Sequence, residues 1–425
     1  MQIPIQIYLD SKDFSRMADR EKRTDDQICA KTFDYLISKV RSEEIQIRIS
    51  VFHVGELLPR SPEYKDAGLR RASTAKALCD KNAFIYYERV VLEDIDFFLK
   101  DEKNKQKHPF PEYAFSDDGN WAPYLGASDF NVLNTIRKML TDEISKAPLD
   151  SRSRRNLIGS IIKPNGTFTK RGISILQSDR HALLNALNGQ FPLTRKFWVE
   201  DYFIKVVSGE IEERVFVKEL ISGLCDLENL AGWIYDRYED THGLTSVLFN
   251  AGTKFISSIA DARNKIDNII SQGLNAGLSE EEVIQMCRKS LKKFSVRDRI
   301  LEIFLEREKK RFYKFGGPSK SSEKVLGSEH GHMPFIDSVC DSMFGFAVDR
   351  ALQIKNKSKL SESDYADGMH AGYIPYVDIF SCDKRTANFV RLPAKRHGVT
   401  VVSRFEDIMP SIDERLKNPQ PRIMR

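Results

Sequence analysis

Cysteine and histidine are scarce in this chain, with six and eight among 425 residues. Cys29, Cys79, Cys225, Cys287, Cys340 and Cys382 form no C-x-x-C pair and fit no zinc spacing. Reduced, mostly buried thiols in a cytosolic protein are the expectation. The sequence also lacks a Gly-rich Walker loop, a G-x-S-x-G and an H-E-x-x-H, which leaves NTPase, triad-hydrolase and zincin readings without support. No apolar run approaches bilayer length, and no basic-then-apolar leader precedes the first strand. A soluble, cytoplasmic protein with no membrane partner is therefore expected. Strong charge of one sign is missing too. The formal net charge is +5, which permits a nucleic-acid partner without demanding one. No internal repeat or long low-complexity tract occurs.

The length is enough for two domains, or for one domain with a large insertion. The first hundred residues alternate between strand and helix patterns. Gln2 to Leu9 is a β-rich run, and a helix is predicted from about Asp25 to Arg41, with Cys29, Phe33, Leu36, Ile37 and Val40 on one stripe. Ile45, Ile47, Ile49 and Val51 alternate with polar residues, which predicts a strand. A helix from Pro62 to about Lys81 and a third strand over Phe84 to Tyr87 follow. The rhythm then gives way to mostly helical patterns, and Gly316 to Ser322 reads as a linker. It returns with helices from Pro334 to about Ile354 and from Ser361 to about Tyr373. A strand over Val377 to Cys382, a helix over Lys384 to His397 and a strand over Val399 to Ser403 complete the pattern. The expected fold class is α/β: a mainly parallel sheet flanked by helices, split in sequence by a mostly α-helical insertion. The expected divisions are 1–100 and 326–415 for the two halves of the core, 101–325 for the insertion and 416–425 for a basic tail.

Chemistry is concentrated in acids far apart in sequence. Asp10 ends the first strand, Glu56 follows the second, and Asp383 ends the strand that precedes Lys384 and Arg385. Asp364, Asp367 and His370 recur at intervals of three, which places them along one helix face. Carboxylates at the carboxyl ends of strands in an open α/β sheet converge on one crevice. They cannot all stay ionised there without a cation, and an all-oxygen set suits magnesium or manganese. Each position also has a plainer reading. Asp10 suits a helix N-cap, Glu56 a first-turn acid, Asp364 a capping box and Asp383 a strand-end turn.

Taken together and in order, these pieces resemble PIN-domain nucleases, which are similar in fold to flap endonucleases. The matching segments are Ile-Tyr-Leu-Asp10, Ile-Ser-Val-Phe-His-Val-Gly-Glu56, and the stretch from Ser363 through Asp364, Asp367 and His370 to Asp383 and Arg385. The resemblance covers roughly the first and last ninety residues, by the strand and helix patterns there. It implies that Asp10, Glu56, Asp364 or Asp367, and Asp383 bind one or two divalent ions, Mg2+ or Mn2+. A metal-activated water would then hydrolyse a phosphodiester. It further implies an endoribonuclease, RNA ahead of DNA, and a toxin or anti-phage defence role. Lys12, His370, Lys384 and Arg385 are placed to contact substrate. Two basic clusters in the insertion also offer phosphate contacts. The first is Arg152, Arg154, Arg155, Lys163, Lys170 and Arg171, and the second runs from Arg288 to Lys314 with interleaved phenylalanines. The second also fits an amphipathic helix with core phenylalanines. The competing readings are an inactive PIN-like binding or scaffold protein, which retention of every acid argues against, and a DNA flap or single-strand nuclease. A regulatory protein partner and self-association are both left open.

Overall fold

Ile5, Gln6, Ile7 and Tyr8 are all buried, as a strand covered on both faces requires. They form β1 (Ile5–Tyr8) in the computed structural model. The model describes residues 3–22, 27–58, 61–101, 112–116, 118–122, 132–163, 167–189, 191–239, 241, 267–291, 296–329, 331–352 and 362–419. β1 lies between β2 (Ile45–Ile47) and β5 (Ile379–Ser381), and β6 (Thr400–Val402) follows β5. All pairings are parallel, with Ile7 opposite both Ile47 and Ile379 and Phe380 opposite Val401. The α/β expectation is met by this four-stranded sheet flanked by helices. The chain steps from β1 outward to β2, then later from β5 outward to β6 on the other side. The strand order thus reverses between β1 and β5, and a crevice opens there beyond their carboxyl ends.

The helices that frame this crevice are α1 (Ser11–Ala18), α2 (Gln27–Arg41), α3 (Val51–Leu57) and α4 (Lys65–Cys79). After them come β3 (Ala83–Phe84), α5 (Tyr87–Asp101) and β4 (Phe115–Ser116). Later in the same unit come α6 (Val296–Arg307), α7 (Pro318–Leu326), α8 (Pro334–Leu352), α9 (Glu362–Ala371), α10 (Lys384–His397) and α11 (Ile408–Lys417). α10 ends where Gly398, at φ 69°, takes the left-handed conformation that closes the last turn.

Several expectations are corrected. The second strand stops at Ile47, and Val51 to Leu57 is helical, so Glu56 stands on a helix rather than beyond a strand tip. Ser50 makes the turn: its backbone is extended, and its N–H donates to His53 Nδ1 at 3.0 Å. The third strand is only Ala83–Phe84 and pairs antiparallel with β4, outside the four-stranded sheet. A single bridge to Ile49 links it back. The supposed linker Gly316 to Ser322 is mostly helix. Gly316 and Gly317 turn at positive φ, and Pro318 opens α7, whose Val325 is fully buried. Ser361, where this helix was expected to start, lies outside the described residues. The tail assigned to 416–425 begins inside α11, and residues 420–425 lie outside the described set.

The chain divides into two compact units, Ala122–Arg237 and the remainder. The first is helical, with Leu184, Phe197, Val206 and Phe216 in its core. Of the first basic cluster, Arg152, Arg154 and Arg155 lie there on helix Ser151–Ile161 and Lys170 and Arg171 on helix Lys170–Ser178, while Lys163 lies between the two helices. The separate unit is narrower than the 101–325 insertion. Leu301, Phe304, Leu305, Phe312 and Val325 belong to the same buried cluster as Tyr373, Phe380 and Val390. The C-terminal part of the second basic run is held by α5. Arg307 pairs with Glu88, Arg311 with Glu93 and Asp96, and Lys314 with Asp96. All six cysteines are free thiols, four of them buried. Among the described residues no helix is long and apolar enough to cross a membrane.

Candidate active site

Asp10 follows β1 after one residue and serves as the N-cap of α1. Its Oδ1 accepts from the Lys12 N–H at 2.8 Å, and its own N–H donates to Asp13 Oδ2 at 3.1 Å. Lys12 Nζ stands 3.3 Å from Asp10 Oδ2. Asp13 Oδ2 also accepts from Ser381 Oγ at 2.5 Å. One buried carboxylate therefore ties the end of β1 to the end of β5. Burial, and next the Asp10 charge, push the Asp13 carboxyl up to about 6.

Asp383 follows β5 after Cys382 and caps α10, with Oδ1 accepting from the Thr386 N–H at 2.6 Å. Capping and site roles coexist at Asp10 and Asp383, because the helix start fixes one carboxylate oxygen. Arg385 turns away from Asp383. Its Nη1 lies 2.7 Å from Asp364 Oδ1, and its Nε lies 3.5 Å from Asp349 Oδ2. Asp364 is fully buried in that pair.

Glu56 on α3 meets His370 on α9, with Oε2 3.2 Å from Nε2. Burial pushes the Glu56 carboxyl up, but the charge and hydrogen bond of His370, with the Ser11 hydrogen bond, together outweigh it and hold the group down at about 2. His370 itself is raised. Burial opposes its charge, and Glu56, Asp10 and Asp367 overcome that. His370 Nδ1 lies 2.6 Å from the Tyr8 hydroxyl, to which it donates when charged, and Tyr8 reaches Ser50 Oγ at 2.7 Å. The neighbouring His53 behaves oppositely. Burial, then the charge of His370, push it down to about 3, so it is neutral. Its Nδ1 accepts from Ser50, which leaves Nε2–H to donate to the Leu9 carbonyl at 2.6 Å.

Asp367 draws these strands together. Burial raises its carboxyl most; His370 counters, while Asp383, Glu56 and Asp10 raise it further, to about 7. Three of the expected acids, Asp383, Glu56 and Asp10, thus lie within electrostatic reach of Asp367. Among the described residues no three His, Cys, Asp or Glu side chains stand as a formed metal-ligand group. No family model, curated protein or solved structure matches the chain.

Four residues at the crevice were not singled out in the sequence: Tyr8, Asp13, Ser50 and His53. Asp13 was legible as the third residue after an N-cap Asp, the spacing of a capping box. His53, in an otherwise apolar run from Val51 to Leu57, carried the same kind of signal as Glu56. Tyr8 and Ser50 carried none, since a strand tyrosine and a serine before a helix are ordinary.

Proposed function

We propose that this protein is a divalent-metal-dependent nuclease of PIN-like type, cutting RNA ahead of DNA. The carrying observation is that Asp10 and Asp383 cap the helices that follow β1 and β5, while burial, and then the charges of Asp383, Glu56 and Asp10, raise the Asp367 carboxyl to about 7. The part of that lift owed to Asp383, Glu56 and Asp10 is repulsion that a cation relieves. The donors fit a hard divalent ion in kind: they are all carboxylate oxygens, and no thiolate is needed. Asp10, Glu56, Asp367 and Asp383 would hold it. When bound, the ion supplies a lowered water pKa and charge stabilisation of the leaving oxygen.

The chain's own residues do the rest. Lys12 and Lys384 flank the acids and favour an approaching phosphate. His370 holds Glu56 ionised and fixed in place. Asp13 keeps the ends of β1 and β5 in register, and with them Asp10 and Asp383. Buried Asp364 and partly exposed Arg385 form a bracing ion pair rather than part of the reacting set.

The test is cleavage of labelled RNA and single-stranded DNA with added Mn2+, comparing wild type with Asp10→Asn and Asp383→Asn. Metal-dependent cutting lost by at least about 100-fold in both is the expected result. Equal cutting by wild type and variants would place the activity elsewhere. Binding without cutting by a folded wild type would favour the inactive nucleic-acid-binding reading.

A further inference from the structure

Beside the acids the surface opens into a groove of about 550 Å³, within the range of small-ligand sites. Its lining includes Lys12 and Arg16 of α1, Lys384 at the start of α10, and Arg404 and Phe405 just after β6. Lys12 stands 3.3 Å from Asp10, and Lys384 follows Asp383 directly, so the groove begins where the acids end. The acids that also line it are engaged. Asp13 is buried in its hydrogen bonds, Glu406 lies 2.9 Å from Arg16 and Asp19 lies 3.4 Å from Arg70. Arg16 is further fixed over the Phe405 ring at 4.5 Å. Lys384 and Arg404 are exposed, and among the described residues no carboxylate lies within ion-pair distance of either. The other two expected substrate contacts are engaged: His370 is buried against Glu56, and Arg385 is paired with Asp364.

We propose that this groove seats the phosphodiester backbone of a single-stranded nucleic acid as it leaves the acid cluster. Lys384 and Arg404 are its principal phosphate contacts, and Arg16 is a pre-positioned third. A single strand suits the site because Asp367 and Asp13 are recessed, and a flexible backbone can dip to them where a stiff duplex cannot. The inference rests on the nuclease reading only for what happens at the acids; the binding it assigns stands without cutting.

The experiment measures anisotropy of short labelled RNA and same-sequence DNA single strands with the full chain in EDTA, across a salt series. The Lys384→Ala, Arg404→Ala double variant should bind about ten-fold or more weakly. Its log-affinity slope against log salt should fall by about 1.4, two contacts at ~0.7 each. Arg299→Ala, in a separate groove with Glu302 and Ile303, should bind as wild type does. Thermal unfolding should not change in either variant. Equal losses for RNA and DNA assign the phosphodiester as the recognised chemistry; a loss for RNA alone assigns RNA. An unchanged slope in the double variant, or no binding of either strand by wild type, overturns the groove. Weakened binding with no cutting by any sample keeps the groove and removes the nuclease. Mn2+-dependent cutting with unchanged KM in the double variant does the reverse.

Discussion

His370 Nε2 stands 3.2 Å from Glu56 Oε2, and this pair joins α9 to α3 across the crevice. Each partner is shifted toward its charged form. Glu56 is lowered from 4.5 to about 2, so its contribution is present above pH ~4.5 and is lost as pH falls toward 2. His370 is raised above 6.5, so its contribution is full below that value and is lost as pH rises through its folded value. The pair therefore stabilises most between about pH 4.5 and 6.5. Glu56→Gln should lower the His370 pKa and flatten that part of the stability profile. Imidazole NMR titration and urea unfolding from pH 3 to 9 check this. A His370 titration unmoved by the substitution would sink the assignment.

Asp367 predicts the opposite slope. Its folded value of about 7 lies above the ordinary 3.8, so the folded state holds the extra proton between those values. Stability then declines as pH rises from about 4 to 7 and levels off above. Asp367→Asn should raise metal-free stability at pH 8 by about 1–3 kcal/mol, because one charge leaves a crowded site. In wild type, Mn2+ should recover that stability and pull the carboxyl down; in Asp367→Asn the Mn2+-induced rise in Tm should shrink. Carboxyl NMR and melting curves with and without Mn2+ measure both effects. Equal Mn2+ responses in the two proteins would remove Asp367 from any metal site.

Asp364 and Asp367 are three residues apart yet should fail in different ways. Asp364 is buried against Arg385, a partly exposed partner, so breaking the pair costs about 1–3 kcal/mol. Asp364→Asn should therefore lower Tm and retain cutting within a few-fold at permissive temperature. Asp367→Asn should abolish cutting without lowering Tm. The paired measurement is Tm and cleavage rate for both variants. The reverse pattern would restore Asp364 as the site acid.

The sequence carried the elements nearest the acids well, because their patterns are strong and local. Lys384 to His397 was read as a helix, and that is its observed extent. Ile45 to Val51 alternated as a strand does, but the run was cut at Ile47. A side chain six residues past the break, His53, caps the next helix, and period two says nothing of that contact. The choice between Asp364 and Asp367 was not legible, since spacing places both on one face. Only the third dimension shows Arg385 reaching Asp364. The cations from Arg297 to Lys314 looked like a phosphate track because their partners, Glu88, Glu93, Asp96 and Asp337, are remote in sequence. Asp10, Glu56 and Asp383 were singled out because a strand end or an apolar neighbourhood makes an acid conspicuous.

His53 should prove a structural latch rather than a reacting group. Fully buried and neutral, it bridges the Ser50 N–H and the Leu9 carbonyl, and so sets the start of α3 against the end of β1. Those are the backbone segments that carry Glu56 and Asp10. Its folded value of about 3 lies below 6.5, so the unfolded chain binds the extra proton between them. Stability from this residue is full above about pH 6.5 and is lost as pH falls toward 3. His53→Ala should cost about 2–4 kcal/mol, through a cavity and two unpaired backbone groups. His53→Asn keeps an acceptor where Nδ1 stood and should protect the Ser50 amide from hydrogen exchange better than the alanine does. His53→Gln reaches the Leu9 carbonyl but not Ser50, and should leave that amide exchanging quickly. If the alanine and asparagine variants exchange at Ser50 equally fast, the cap does not depend on His53 and the helix start must be held by other contacts.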